Sequence, residues 1–130
     1  MAFTFELVTP ERLLMSGDAD QVVVPGTEGD FAVLAGHTPF VSTLRPGILD
    51  ITLTNGKKRV FVKKGVAEAD PTRLTVLAQT AVALEDMTPA MIDAELKAAE
   101  ADKAQASDDD ARMTADTLID VLRRMQAKVA

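Results

Sequence analysis

The sequence has no cysteine, tryptophan or tyrosine, and it has a single histidine. Without cysteine the chain cannot form disulfides, thiolate metal sites or cysteine nucleophiles, which favours a reducing compartment on the cytosolic side. One imidazole is too few for the usual zinc ligand sets. The apolar runs are much shorter than the ~20 residues that cross a bilayer. Together these absences argue against an enzyme and against an integral membrane protein.

Positive charge is also scarce, with 14 Lys and Arg against 20 Asp and Glu and a formal net charge of −6. A chain that binds nucleic acid needs a basic surface for the phosphates, so we expect no nucleic-acid partner. Apolar residues make up 47% of the 130 residues, which is enough to form a core without a metal or disulfide. The first six residues have neither a basic flank nor a long apolar stretch, so we expect no signal or transit peptide.

Glycine is absent from the last part of the chain. All seven Gly precede residue 66 and all five Phe precede residue 62, whereas the sequence after residue 87 is rich in Ala, Leu, Met and charged residues. Loops and strands use Gly and Pro, while helix interiors exclude them. We therefore expect a β domain over residues 1–87 and an α domain over residues 88–130.

Within the β domain, apolar and polar residues alternate in several short segments, as in strands with one buried face. The clearest signal is Asn55-Gly56, a pair that favours a two-residue type I′ hairpin because both positions take positive φ. The expected register pairs Thr54 with Lys57, Ile51 with Val60 and Leu49 with Val62. It gives one core face, made by Leu49, Ile51, Leu53, Val60 and Val62, and directs Phe61 to the other face. Short strands at this spacing predict an N-terminal antiparallel β-sandwich.

The α domain predicts two helices that form a C-terminal antiparallel hairpin. Thr88 is a suitable N-cap for the first helix, with Pro89 at its first position, and Ser107 is the expected cap of the second. The apolar seam of the second helix is expected at Ala111, Ala115, Leu118, Leu122, Met125 and Val129. The first helix contributes mostly Ala to this seam. Each Ala that stands in place of a Leu lowers the stabilising free energy of apolar burial by on the order of 2 kcal/mol. We therefore expect a weakly packed hairpin that can move while the β domain stays folded.

Few residues could carry chemistry, and each also has a structural interpretation. His37 is either a turn residue or the centre of a hydrolase, but no Ser lies in the Gly-x-Ser-x-Gly elbow of a nucleophile. Residues 26–30 read GTEGD and lack the Lys-Ser/Thr of a phosphate loop, which favours a turn between strands. Residues 108–110 are all Asp but lack the Gly and distal Glu of a calcium loop, so helix capping explains them better. A basic cluster either protects a strand edge or binds an acidic protein; it consists of Lys57, Lys58, Arg59, Lys63 and Lys64.

One longer segment resembles the signature of a known family. Residues 26–39 read GTEGDFAVLAGHTP, which resembles the Gly-x-Glu-Gly turn, short strand and Gly-His-x-Pro of the epsilon subunit of F-type ATP synthases. That subunit is homologous to the mitochondrial delta subunit. Other matching segments follow in the family's order: VTPE at 8–11, SG at 16–17, LRPG at 44–47 and VLA at 76–78. The resemblance covers essentially the whole chain and agrees with the β-then-α division.

The resemblance implies a noncatalytic subunit of the proton-translocating ATP synthase, without a catalytic residue, metal or cofactor of its own. In the family the β-sandwich belongs to the central stalk and binds the gamma subunit and the ring of c subunits. The family's rotor contacts correspond here to Glu28, Gly29, Asp30, Gly36, His37 and Pro39. Phe61, placed outward by the hairpin register, is a further candidate contact, and packing inside the sandwich is its alternative.

The helical hairpin of the family implies a regulatory role, because an extended hairpin can block rotation in the direction of ATP hydrolysis. Arg123, Arg124 and Lys128 are then expected to meet acidic surfaces of the alpha and beta subunits. Some members bind ATP through an Ile/Leu-Asp-x-x-Arg-Ala motif on the first helix. This chain has Leu96 in place of the arginine, so the cation that would meet a phosphate is missing and we expect no nucleotide binding.

A different class of function also fits the composition. A freestanding β-sandwich adaptor, whose hairpin pairs with another helix, would have the same residue content but would not explain the ordered motifs. The resemblance, together with the expected lack of a transit peptide, implies a peripheral subunit at the cytoplasmic face of a bacterial inner membrane, or at the stromal face of a plastid membrane. Such a subunit would reach the membrane only through its partners.

Overall fold

A computed structural model describes the backbone of residues 2–129 and the side chains of residues 2–127. The chain divides into two compact units, the first ending at Leu84 and the second beginning at Glu85. The strands are β1 (Phe3–Thr9), β2 (Arg12–Gly26), β3 (Gly29–Val33), β4 (Phe40–Thr43), β5 (Gly47–Leu53), β6 (Gly56–Asp70) and β7 (Arg73–Ala83). A 3₁₀ turn (Leu84–Asp86) is followed by the helices α1 (Pro89–Gln105) and α2 (Asp109–Val129). The predicted fold class, a β-sandwich followed by two helices, is confirmed.

The strands form one sheet that folds back on itself. Its order is β1-β7-β6-β5-β2-β3, with β1 also paired to β2 and β4 paired to β6. Among the described pairings, β1 with β7 is parallel and the others are antiparallel. The long strand β6 makes this possible, because it pairs with β5 up to Val62 and with β4 from Val66 onward. The sandwich is therefore a continuous hydrogen-bonded body.

The core of this unit is made by the side chains that alternate inward from the strands. Phe5, Leu7, Leu49, Ile51 and Leu74 have no exposed surface. Among the described residues no polar or charged side chain is buried. Apolar side chains therefore fill the space between the two layers. No helix in the described part of the chain is long and apolar enough to cross a membrane.

The β5–β6 hairpin is confirmed, but its predicted register is wrong by two residues. The structure pairs Leu49 with Val60, Ile51 with Lys58 and Leu53 with Gly56. The turn residues are Thr54 and Asn55, and it is Gly56 that takes positive φ, at 152°. Because the glycine supplies this conformation at one position, the turn does not need the type I′ geometry that the Asn-Gly pair predicted. A shift of two preserves the alternation, so the core residues of the predicted face are nevertheless those that point inward.

The strand β6 changes its neighbour near Lys64 and Gly65. Lys64 has a φ of 51°, in the left-handed region that side chains rarely allow. At Gly65 an added Cβ atom would lie 2.0 Å from the carbonyl oxygen of Leu77 and 2.9 Å from the Cα atom of Ala78. The backbone of β7 thus passes so close to β6 that only glycine fits.

The caps of the helices are local side-chain hydrogen bonds. As predicted, Thr88 caps α1: its hydroxyl accepts a hydrogen bond from the Met91 N–H at 3.1 Å, and the following proline takes the first helical position. The predicted cap of α2 is wrong by one residue, since the carboxylate of Asp108, not Ser107, accepts from the Ala111 N–H at 2.7 Å. A carboxylate at this position also interacts favourably with the helix dipole.

The apolar stripe of α2 is partly the predicted one. Ala115, Leu122 and Met125 are buried, as predicted. Ile119 is buried, whereas Leu118 is only half-buried and Ala111 is exposed, so the stripe is rotated by about one residue near the start of the helix. The side chain of Val129 lies outside the described residues. The buried side chains of α1 are Ile92, Leu96 and Ala99.

Candidate functional site

The β2–β3 turn, residues 26–30, is called the acidic turn below. It contains three of the predicted interface residues, Glu28, Gly29 and Asp30. It begins where Gly26 pairs with Gly29, whose φ of 129° is easily adopted by glycine. The Thr27 N–H donates to the carbonyl of Thr43 at 3.0 Å, and the two hydroxyls are 2.9 Å apart. These bonds hold the turn against the end of β4 and leave Glu28 exposed.

Asp30 is fixed to the body of the sandwich by an ion pair with the guanidinium of Arg45. The backbone of Arg45 is fixed in turn, because its N–H donates to the carbonyl of Pro25 at 3.0 Å. Both charged side chains are partly exposed, so the ion pair contributes at most about 1 kcal/mol to stability. Its main consequence is that Asp30 is already neutralised by a neighbour, while Glu28 presents its charge to solvent.

A second turn lies at the far end of β3 and is called the histidine turn, residues 34–39. Gly36 has a φ of 80°, and its N–H donates to the carbonyl of Pro71 at 2.8 Å. The His37 Nδ1 atom is 2.8 Å from the carbonyl oxygen of Thr38, and its ring centroid is 4.8 Å from that of Phe40. Neither neighbour is a group that acid–base catalysis would use, so these contacts make the imidazole a structural part of the turn.

The predicted interface residues therefore form two separate turns rather than one site. Residues 31–33 of β3 lie between the two turns, so Asp30 and Leu34 are about 13 Å apart along the strand. An aromatic contact links the two regions, since the rings of Phe31 and Phe40 meet edge to face with centroids 4.8 Å apart. The sequence signature thus encodes two turns and the packing that joins them.

Phe61 lies in β6 opposite Ile48 of β5 and Val82 of β7. It alternates with the core residues Val60 and Val62 and does not belong to the core cluster, so it points to the other face of the sheet, as predicted. Its side chain is nevertheless only 1% exposed. A partner could reach this ring only if the surrounding chain moved.

An exposed apolar row, which the sequence analysis missed, crosses the outer face of the sandwich. It consists of Val66, Leu77, Val8 and Leu13, which lie opposite one another on β6, β7, β1 and β2. Residues paired in this way project from the same face of a sheet. Leu77 is 43% exposed and Leu13 is 52% exposed, while the two valines are half-buried. We call these four residues the outer row, and contiguous apolar surface of this kind is typical of a protein contact.

The basic cluster begins at the first residues of β6. Lys57, Lys58 and Arg59 lie in a segment that pairs with β5, whereas the described pairing with β7 begins only at Val60. Within the described pairings, one edge of this segment is therefore open. Basic side chains at such an edge discourage pairing with another sheet, which favours the protective interpretation for these three residues of the cluster.

Asp70 stands out electrostatically at the β6–β7 turn. Its Oδ1 atom accepts hydrogen bonds from the Thr72 N–H at 2.8 Å, the Thr72 hydroxyl at 3.1 Å and the Arg73 N–H at 2.9 Å. The pKa of Asp70 is lowered from its ordinary value of 3.8, chiefly by the Thr72 N–H. This contribution to stability is present above about pH 4 and is lost as the pH falls through the lowered pKa, so it stabilises the turn at neutral pH.

Two of the three cations of α2 that were predicted as partner contacts are paired within the hairpin. Arg123 lies 3.6 Å from the carboxylate of Glu100 on α1, measured from Nη2 to Oε1. Arg124 pairs with Asp120 one turn earlier on α2. Lys128 belongs to α2, but its side chain lies outside the described residues. Within the described part of the chain, no group of three or more His, Asp or Glu side chains could hold a metal ion.

Comparison with known proteins gives consistent results along the chain. Residues 2–84 match the family model of the β-sandwich domain of the ATP synthase delta/epsilon chain. A protein from Parvibaculum lavamentivorans named ATP synthase epsilon chain is 45% identical over 126 residues, which cover 96% of each chain. A protein of the same name from Maricaulis maris is 41% identical over 126 residues, covering 97% of this chain and 95% of the other.

Two solved structures contain a chain of similar fold. One is the OSCP/F1/c-ring part of the mitochondrial ATP synthase of Euglena gracilis, with a TM-score of 0.75 and 22% identity, covering 99% of this chain and 82% of the other. The second is the central stalk and c-ring of the mitochondrial ATP synthase of Tetrahymena thermophila, with a TM-score of 0.69 and 12% identity, covering 97% of each chain. At these identities the similarity shows a shared fold.

Proposed function

This chain belongs to the ATP synthase delta/epsilon chain family, and we propose that its β-sandwich joins the gamma subunit to the ring of c subunits. The chain is accordingly a noncatalytic subunit of an ATP synthase, as the sequence resemblance implied. A coupling element must transmit torque without slipping, which a stiff body does better than a flexible linker. The closed path of hydrogen-bonded strands and the apolar core supply such a body.

The single observation that carries the proposal is the outer row. A lasting contact between subunits covers apolar side chains that would otherwise face water and surrounds them with a polar rim. Leu13 and Leu77 provide the exposed apolar surface. Glu6, two residues before Val8 on the same strand face, pairs with Arg73 and provides part of such a rim. We therefore assign the outer row to the contact with gamma.

The acidic turn is the proposed contact with the c-ring. Glu28 is exposed at the tip of a turn that is held firmly by its bonds to the end of β4. An exposed carboxylate on a rigid turn can pair with cationic or hydrogen-bonding groups of a polar loop without entering lipid. Gly36, His37 and Pro39, in the histidine turn at the other end of β3, are proposed as a second contact with the rotor.

The test of this function is binding to the assembled rotor. We expect the purified chain to bind a gamma–c-ring assembly stoichiometrically, and Glu28→Lys to weaken binding to the c-ring about 5- to 30-fold, because repulsion replaces attraction. Binding is measured by surface plasmon resonance on immobilised c-ring in detergent. The matched control is Asp18→Lys, the same charge change at an exposed position in the middle of β2, away from the acidic turn. Failure of the native chain to bind the assembly would overturn the proposed function.

The hairpin and the membrane location are the remaining parts of the proposal. When the helices extend, Arg123, Arg124 and Lys128 meet acidic surfaces of the alpha and beta subunits and oppose rotation during ATP hydrolysis. The chain works at the cytoplasmic face of a bacterial inner membrane and is attached there through gamma and the c-ring. The supporting observation is the row of cations on α2, two of which are held by carboxylates of the same hairpin.

We expect ATP not to bind the hairpin. Leu96, at the position of the missing arginine, is 8% exposed and contributes to the buried stripe of α1. Asp93 of the same motif pairs with Lys97 at 3.3 Å. Titration calorimetry should show no saturable heat at Mg-ATP concentrations up to about 1 mM. Any binding would then be weaker than a Kd of about 1 mM, which corresponds to a binding free energy of about −4 kcal/mol. An epsilon chain that retains the arginine is the positive control, and a micromolar Kd for the native chain would contradict the prediction.

A further inference from the structure

Apolar packing between α1 and α2 is confined to one part of the hairpin. On α1 the buried side chains end at Ala99, and residues 100–105 are all exposed. On the other side of the connection, residues 107–114 are also exposed, and burial begins at Ala115. The half of the hairpin nearest the connection therefore has little apolar contact to keep it closed.

A cleft of about 680 Å³ lies between the helices, lined by residues 100–104 of α1 and by residues between Arg112 and Arg123 of α2. Six of its eight lining residues are charged, namely Glu100, Lys103, Arg112, Asp116, Asp120 and Arg123. The three acids balance the three bases, so the cleft has no excess charge that would attract a phosphate or a metal ion. Its acidic and basic side chains can instead form ion pairs with one another.

Two ion pairs cross this cleft from helix to helix. Lys103 Nζ is 2.7 Å from Asp116 Oδ1, and Arg123 Nη2 is 3.6 Å from Glu100 Oε1. We call these two pairs the latch. By contrast, the pairs Asp93–Lys97 and Asp120–Arg124 lie within single helices and do not depend on how the helices pack.

We propose that the latch sets the balance between the closed and open hairpin and keeps the charge of Arg123 paired with Glu100 until the hairpin opens. This inference rests on the proposed function, in which Arg123 meets an acidic partner surface. The pair with Glu100 offsets part of the charge that Arg123 would present to an acidic partner, so the two contacts compete. The four latch side chains are about half exposed, at 47–66%, so each pair is weak and screened by salt. Loss of one pair should therefore raise the open population about two- to fivefold rather than abolish closure.

The latch can be tested on the full chain in isolation. The sequence has no native cysteine, so spin labels can be placed at Ala98→Cys on α1 and Gln126→Cys on α2, both exposed positions. Pulsed dipolar spectroscopy then reports the fraction of molecules at long distance. We expect Glu100→Gln and Arg123→Gln each to raise this fraction two- to fivefold. The matched control is Asp93→Asn, which removes one negative charge from the same helix but breaks a pair within it.

Two further arms test the electrostatic origin of the effect. The exchanged double variant Glu100→Arg with Arg123→Glu should return the long-distance fraction to the native value, because it restores an ion pair of reversed direction. Raising NaCl from about 0.05 to about 1 M shortens the Debye length to about 3 Å. The added salt should therefore raise the long-distance fraction of the native chain more than it raises that of the Glu100→Gln variant. The latch proposal is wrong if Glu100→Gln raises the long-distance fraction no more than Asp93→Asn does. It is also wrong if the exchanged double variant keeps the raised fraction of the single variants.

The distance measurement does not depend on the assembled enzyme, so the two proposals can fail separately. If Glu100→Gln opens the isolated hairpin and also strengthens inhibition of ATP hydrolysis in the assembled complex, both stand. If the hairpin opens without any change in inhibition, the latch stands and the inhibitory role of Arg123 is overturned. If the distances between the spin labels do not change, the latch proposal is overturned, whatever the effect on inhibition of ATP hydrolysis in the assembled complex.

Discussion

Replacing Gly65 with Ala should destabilise the β-sandwich by about 3 kcal/mol or more, the largest effect that we expect from any single added methyl group. The new Cβ would lie 2.0 Å from the carbonyl oxygen of Leu77, far inside van der Waals contact. The obstacle is the backbone of β7, which cannot move aside as a side chain could. Since the φ of Gly65 is not positive, the effect is steric and does not come from a forbidden backbone conformation.

Urea unfolding followed by far-ultraviolet circular dichroism measures this loss directly. Domains of this size have about 5–15 kcal/mol of stability in total, so the variant should unfold at a much lower urea concentration than the native chain. Gly17→Ala is the matched control, because its added Cβ would meet nothing closer than Leu53 Cδ2 at 3.9 Å. We expect the control to change the free energy of unfolding by less than about 1 kcal/mol. Equal midpoints for the two variants would show that β6 and β7 are not packed as described.

The fold could be predicted from the sequence wherever one local rule determined it. The break in glycine usage separated strands from helices, and the alternation in β5 and β6 identified the buried face. The register of that hairpin was missed, because either Gly56 or Lys57 could begin the strand after the turn, and only the structure shows that Gly56 already pairs with Leu53. The cap of α2 was missed for a related reason, since adjacent Ser107 and Asp108 are both good caps.

The candidate site was less predictable, because it depends on which strands become neighbours. The signature motif located the acidic turn and the histidine turn, but it did not show that β3 separates them. The outer row could have been suspected at Leu77, an apolar residue at an outward position between the inward Val76 and Ala78. Val8 joins the row through the parallel pairing of β7 with β1, which no local pattern predicts, and Leu13 joins it through the antiparallel pairing of β1 with β2, whose register shifts between Leu7 and Val8.

Leu77→Asp should weaken binding of the isolated chain to purified gamma by about 30-fold or more, which corresponds to about 2 kcal/mol. Leu77 lies in the middle of the outer row and is 43% exposed, so in the proposed complex it passes from water into an apolar contact. Aspartate at the centre of that contact would lose this burial and place an unpaired charge there. Leu13 lies at the end of the outer row, so Leu13→Asp should also weaken binding to gamma, but by a smaller factor.

Isothermal titration calorimetry with gamma measures the Kd, and two comparisons make the result specific. Met113→Asp makes the same kind of change at a 66% exposed position on α2 and should leave the Kd unchanged. Leu77→Asp should also retain the native c-ring affinity of the sandwich, while Glu28→Lys should retain its affinity for gamma. If Leu77→Asp binds gamma as tightly as the native chain, the outer row does not carry the contact. If each variant weakens both interactions equally, the two surfaces are not independent, because a shared loss would point to a damaged body and not to two separate contacts.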